Sequence, residues 1–236
     1  MNRQPKKRTV IMISGRGSNM AALVDAAREA DYPAEIVGVI SDKAGVQGLR
    51  AAESFGIATN TIARSDYDSK EAHEAAIHEA LAQFDAKIIC LAGYMRLLSP
   101  AFVDGWMGKM INIHPSLLPS LRGLHTHRRA LEAGMRVHGC TVHFVNHEMD
   151  SGPIIAQSAI PVQTNDTEEA LTARMLKAEH RLYPLALALV AGGKARMDGA
   201  QTKFEGVDHM GGNDFLLVPG SWHGPSDIEG LARFTP

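Results

Sequence analysis

Short apolar, β-branched runs alternate along the chain with alanine-rich stretches of helical spacing. Val10 to Ile13 reads as a strand, Gly15 to Asn19 as a loop and Met20 to Ala30 as a helix. Glu35 to Ser41 predicts a second strand, and Leu49 to Phe55 a helix stopped by Gly56. Ala58 to Ile62 is a weaker strand, and Asp68-x-x-Glu71 is a capping-box signature for a helix running to about Phe84. Lys87 to Leu91 and Met110 to Ile113 complete five strands, with Ser99-Pro100 opening a short helix between the last two. Fully apolar strands separated by helices predict a doubly wound α/β architecture: a mostly parallel, Rossmann-like sheet covered on both faces.

Beyond residue 135 the pattern changes. Val137 to Val145 and Ile154 to Ile160 are joined by the polar turn Asn146 to Pro153, which predicts an antiparallel C-terminal edge. A long helix follows, with Asp166-x-x-Glu169 as its cap and a stripe through Leu171, Met175, Ala178, Leu182, Leu185 and Leu189. Pro184 should kink it and Gly192-Gly193 should end it. Lys194 to Glu205 reads as a hairpin. The expected organisation is one domain over residues 1–205, then a glycine-rich extension over 206–236 that is weakly ordered or packed on the surface.

Composition narrows the function classes. Of 236 residues, 45% are hydrophobic and 21% charged, which excludes wholesale disorder. A formal net charge of -2 offers no general attraction for nucleic acid or anionic membrane, so any phosphate recognition must be local. Cys90 and Cys140 form no C-x-x-C pair, which argues against a disulfide framework or a cysteine zinc site. The basic stretch ending at Arg8 resembles a signal-peptide start, but the apolar run after it is too short to be one. No run is long enough to span a bilayer. The expectation is a soluble, cytoplasmic protein.

Three patterns carry candidate chemistry. Ser14-Gly15-Arg16-Gly17-Ser18-Asn19 joins a strand to a helix, where glycines admit a ligand and free N–H groups favour an anion. Asp42 stands about where a dinucleotide fold places its ribose-binding acid, but Met20 replaces the third fingerprint glycine. A single phosphate is therefore favoured over a dinucleotide, with a plain tight turn as the third reading. Asn112 and His114, two apart on a strand, share one face at its C-terminal end, where an amide and an imidazole can hold a carbonyl oxygen and manage a proton. His114 could equally be only a structural hydrogen-bonder.

The third pattern is a crowd of histidines: His114, His125, His127, His138, His143 and His147. On a strand, His138 and Cys140 face away from His143, and His143 and His147 lack the H-E-x-x-H glutamate. We expect no metal site and no cysteine nucleophile.

Taken in order, Ser14-Gly-Arg-Gly-Ser-Asn19, Leu91-Ala-Gly-Tyr-Met-Arg-Leu-Leu-Ser-Pro100, Asn112-Ile-His-Pro-Ser-Leu-Leu-Pro119, Gly123-Leu-His-Thr-His127 and Asp150-Ser-Gly-Pro153 form a set. It resembles the folate-dependent formyltransferase family, and within it the enzymes that formylate glycinamide ribonucleotide (GAR) in purine (IMP) synthesis. The likeness runs from about Thr9 to the hairpin near Glu205.

The resemblance implies a formyltransferase fold with a phosphate-binding N-terminal half and a folate-binding C-terminal half. It makes Asn112 and His114 the catalytic pair and Asp150 the carboxylate that tunes the histidine. Gly17, Ser18 and Asn19 would hold the substrate phosphate, with Glu179 near its ribose. Met95, Arg96, Leu97 and Leu98 would grip the pterin of 10-formyltetrahydrofolate, and Asn146, His147, Glu148, Met149 and Asp150 would line its pocket. Lys70 stands where the family commonly has an arginine near folate; it keeps the charge but loses the bidentate fork. Ser151, and Leu121-Arg122, depart from the family's usual residues.

The cosubstrate would be formyl-folate, with no metal and no nicotinamide, and the protein a monomer or homodimer without nucleic-acid or membrane partners. Competing readings are another formyl-folate enzyme (a hydrolase, or a sugar or tRNA formyltransferase) and a non-catalytic nucleotide-binding module. The tRNA enzyme should carry a substantial RNA-binding domain, and a binding module has no need of Asn112, His114 and Asp150 together.

Overall fold

The computed structural model describes residues 5–207 and 217–218. Strand β1 (Lys7–Ile13) is followed by α1 (Ser18–Ala27), β2 (Ala34–Ser41), α2 (Gln47–Ser54) and β3 (Thr59–Thr61). Then come a 3-10 turn (Arg64–Asp66), α3 (Lys70–Gln83), β4 (Ile88–Leu91), α4 (Pro100–Gly105) and β5 (Met110–His114). The second half has α5 (Thr126–Glu132), β6 (Val137–Phe144), β7 (Ile154–Pro161), α6 (Glu168–Ala191), β8 (Ala195–Asp198), β9 (Gln201–Phe204) and β10 (Leu217–Val218).

The main sheet has the order β10-β7-β6-β5-β4-β1-β2-β3, while β8 and β9 form a separate hairpin. Strands β3, β2, β1, β4 and β5 are parallel; β6, β7 and β10 run antiparallel to their neighbours. The predicted mostly parallel, doubly wound sheet with an antiparallel edge is what forms. The apolar runs have a simple cause. Ile11 and Ile13 pack into the layer under α1, α2 and α6, whereas Val10 and Met12 pack into the layer under α3 and α4. A strand covered on both sides cannot alternate apolar with polar residues.

Several local expectations were shifted. The cap of α3 is Ser69, which accepts from Ala72 N, so the Asp68-x-x-Glu71 box is not the cap. The cap of α6 is Thr167, accepting from Ala170 N, because Asp166 is held instead by a bidentate pair with Arg174 at 2.7 and 2.8 Å. That pairing pulls the Asp166 carboxyl down to about 2. Helix α1 starts at Ser18, so Ser18 and Asn19 are its first turn rather than loop. Helix α5 and the 3-10 turn were not foreseen. Helix α6 continues through Pro184, and its buried stripe passes through Glu179 rather than Ala178. The expectation of a weakly ordered extension falls mostly outside the described residues; within them, β10 pairs with β7. Among the described residues, no helix is long and apolar enough to cross a membrane.

Candidate active site

The parallel strand order reverses between β1 and β4, and open α/β sheets bind ligands beyond the strand ends at such a point. A cleft of about 680 Å³ opens there. Its walls come from the residues after β4 (93–98), the end of β5, the 123–127 turn and the 145–150 loop, with Asn19 of α1 and Glu179 of α6. Most of the sequence-derived site residues therefore meet in one place; Gly17, Ser18 and Lys70 are not among those lining it.

At its centre, buried His114 presents Nδ1 to Asp150 Oδ2 at 3.4 Å and Nε2 to the Leu121 carbonyl at 3.1 Å. Both ring nitrogens thus face acceptor atoms, which fixes the plane of the ring. Asp150 is held in turn, since its Oδ2 accepts from Gly123 N at 2.9 Å and its backbone sits at φ 53°. Gly152 beside it is obligatory: a Cβ there would lie 1.8 Å from the Phe144 carbonyl oxygen.

Asn112 brings a partner that sequence reasoning missed. Its Nδ2 lies 3.2 Å from His143 Nε2, while His143 Nδ1 lies 2.8 Å from the Phe144 carbonyl. That carbonyl can only accept, so Nδ1 carries the proton and Nε2 accepts from the Asn112 amide. Burial holds the His143 pKa below its ordinary value, keeping it in that neutral form. The imidazole fixes the amide and leaves a second Asn112 N–H for the cleft. The only sequence signal was register, since His143 is paired with Asn112 across β5 and β6.

The first loop is shaped by backbone contact. Gly17, the N-cap of α1, sits at φ 76°, and a Cβ there would come within 2.8 Å of Gly48 Cα. Gly48 N donates to Gly15 O, seating the loop on the start of α2. The side chain of Asn19 is engaged within the protein: its Nδ2 donates to Glu179 Oε2 at 2.7 Å. Burial pushes the Glu179 carboxyl up to about 7, with the Asn19 bond opposing.

The opposite walls are less enclosed. Met95, Leu97, Leu124 and Met149 are among the most exposed large apolar side chains of the described residues. Met95 N donates to Ser14 Oγ at 2.9 Å, and Arg96 Nε pairs with buried Asp42 at 2.6 Å. In the 145–150 loop, Ser151 Oγ donates to Asn146 Oδ1, and His147 Nε2 meets Asp104 Oδ1 of α4 at 2.8 Å. Lys70 is not brought into this cleft. It lines an adjoining hollow of about 260 Å³, shared with Arg64 and the 94–98 segment, and lies 3.9 Å from Glu74.

His125 and His127 also line the cleft, and His127 Nδ1 meets His138 Nε2 at 3.2 Å. Burial pulls His138 down to about 4 and lowers His127 as well. Among the described residues, no three His, Cys, Asp or Glu side chains come together in a way that could hold a metal ion.

The formyl transferase family model matches residues 7–187. The chain belongs to that family. It is 45% identical over 188 residues to the phosphoribosylglycinamide formyltransferase of Escherichia coli, covering 80% of this chain and 89% of that one. It is 52% identical over 195 residues to the trifunctional purine biosynthetic protein adenosine-3 of Bos taurus. That match covers 82% of this chain but 19% of the relative, so the chain spans about a fifth of that protein. A phosphoribosylglycinamide formyltransferase structure from Brucella melitensis superposes with a TM-score of 0.77 at 60% identity, covering 80% of this chain and 97% of the other. In this member of the family, Asn112, His114 and Asp150 converge where the fold opens.

Proposed function

We propose that the protein transfers the formyl group of 10-formyltetrahydrofolate to the amine of glycinamide ribonucleotide, with residues 1–205 as the catalytic domain. The observation that carries this reading is the convergence of Asn112, His114 and Asp150 between the α1 entry and the apolar 95–98 segment. Bound formyl-folate supplies a formyl carbon to the substrate amine: the new C–N bond forms, the bond to the folate nitrogen breaks, and one proton passes from amine to folate nitrogen.

The chain supplies three things to that exchange. The free Asn112 N–H and a His114 ring nitrogen are donors for the formyl oxygen as it gains negative charge. His114, with its ring aligned by Asp150, is suited to moving the proton. The N-terminus of α1 at Gly17, Ser18 and Asn19 receives the substrate phosphate on backbone N–H groups. Glu179 lies beside it for the ribose, held by Asn19. The Met95–Leu98 wall gives the flat folate an apolar side and the Asn146–Asp150 loop a largely polar one, with Lys70 in the adjoining hollow and Arg96 paired to Asp42. We place the protein in the cytoplasm as a monomer or homodimer without nucleic-acid or membrane partners.

The test is incubation of the purified protein with both compounds. Formyl-GAR and tetrahydrofolate should appear in equal amounts. Formate released without GAR would point to a hydrolase, and no turnover with either would leave a binding module.

A further inference from the structure

We propose that Glu74 is a positioning residue that sets the shape of the folate-gripping wall through Ser99. This rests on the reading of Met95–Leu98 as that wall. The wall needs an external support, because Met95 and Leu97 are 62% and 72% exposed and so are not fixed by packing of their own. Two anchors hold its beginning, Ser14 Oγ under Met95 N and Asp42 against Arg96. Its far end is closed by α3, a helix that adds no residue to the large cleft.

Glu74 of α3 is buried, 6% exposed, and takes Ser99 with both oxygens. Oε1 accepts from Ser99 N at 2.7 Å and Oε2 accepts from the Ser99 hydroxyl. Ser99 Oγ accepts in turn from Phe102 N, capping α4. The hydroxyl proton therefore has one direction to point, toward Glu74. Two donors on two oxygens is a demand that a carboxyl group can meet and an amide, with one accepting oxygen, cannot. Lys70 Nζ, 3.9 Å away and partly exposed, offsets the charge. A side chain outside the large cleft thus fixes the residue that follows the wall and the helix behind it.

The test is steady-state kinetics on folded variants with both substrates. In Glu74→Gln the amide oxygen can still accept from Ser99 N, but the N–H2 can no longer accept from the Ser99 hydroxyl and can only donate to it, so the charge-assisted bond from that hydroxyl is lost. KM for formyl-folate should rise about tenfold, the weight of a hydrogen bond to a charged group. KM for GAR and kcat should stay within about twofold of the native values, for the chemistry is untouched. Ser99→Ala should copy this effect and Ser99→Thr, which keeps the hydroxyl, should restore the native constant. If Glu74→Gln does not fold, the Ser99 pair decides alone.

An unchanged formyl-folate KM in folded Glu74→Gln, or equal losses for both substrates, overturns the inference. Leu97→Ala, inside the wall itself, separates the two levels. If it weakens formyl-folate while Glu74→Gln does not, Glu74 has lost its role. If neither does, the assignment of the wall has failed.

Discussion

The two sides of the cleft are built on different principles. On the α1 side, shape comes from backbone: a left-handed Gly17 pressed on Gly48, and a buried carboxyl, Glu179, on the core stripe of α6. On the other side, exposed apolar side chains stand on segments pinned at separate points by Ser14, Asp42, Glu74 and Asp104. The first arrangement fixes donors for a small charged group before it arrives, which lowers the ordering cost of binding. The second spreads contact over a wide apolar face and tolerates movement. Substitutions should therefore act sharply and on one substrate at the first side, and more gently at the second.

Glu179 should give the largest stability effect. An ordinary glutamate titrates near 4.5, whereas burial raises this one to about 7. Between those values the folded chain keeps a proton that the unfolded chain has released. Stability therefore falls as pH rises from about 4.5 to about 7, by up to about 3 kcal/mol, and this contribution is flat above that window. Glu179→Gln is neutral throughout and can still accept from Asn19. Its melting temperature relative to the native protein should climb between about pH 5 and about pH 8, by on the order of 5–10 °C. Parallel melting curves would mean that Glu179 is better solvated than its position indicates.

Asn19→Ala comes next. It removes the donor to Glu179 and loosens the helix entry, so KM for GAR should rise roughly 10–100-fold. KM for formyl-folate should hardly change. Equal losses would erase the distinction between the two sides. The smallest effect belongs to the exposed His147–Asp104 pair on the other side. Asp104→Ala should raise KM for formyl-folate less than about threefold, as surface ion pairs contribute little. A much larger change would show that the 145–150 loop is held as firmly as the α1 entry.

Which parts were legible in the sequence follows from the same contrast. Strands buried on both faces announce themselves as apolar runs, and a glycine loop between strand and helix is visible locally. The caps of α3 and α6 were misplaced by one residue because each site offers two adjacent polar side chains. Only the tertiary pair Asp166–Arg174 decides the second case. Helix α5 was missed because its seven residues begin at a left-handed His125 and lack a sustained stripe. His143 was weighed only against neighbours along the chain, whereas its partner Asn112 lies across the sheet. Lys70 matched a family position, but a helix turn directs it to Glu74.

Everything proposed for the cleft depends on His114 at its centre. The most direct test is single-turnover and steady-state formyl transfer by His114→Ala, with both substrates saturating. The geometry predicts a kcat lower by roughly 10²–10⁴, the usual worth of a positioned acid–base group, with both KM values little changed. Turnover near the native rate would contradict the account and return His114 to a structural hydrogen-bonder between Asp150 and Leu121.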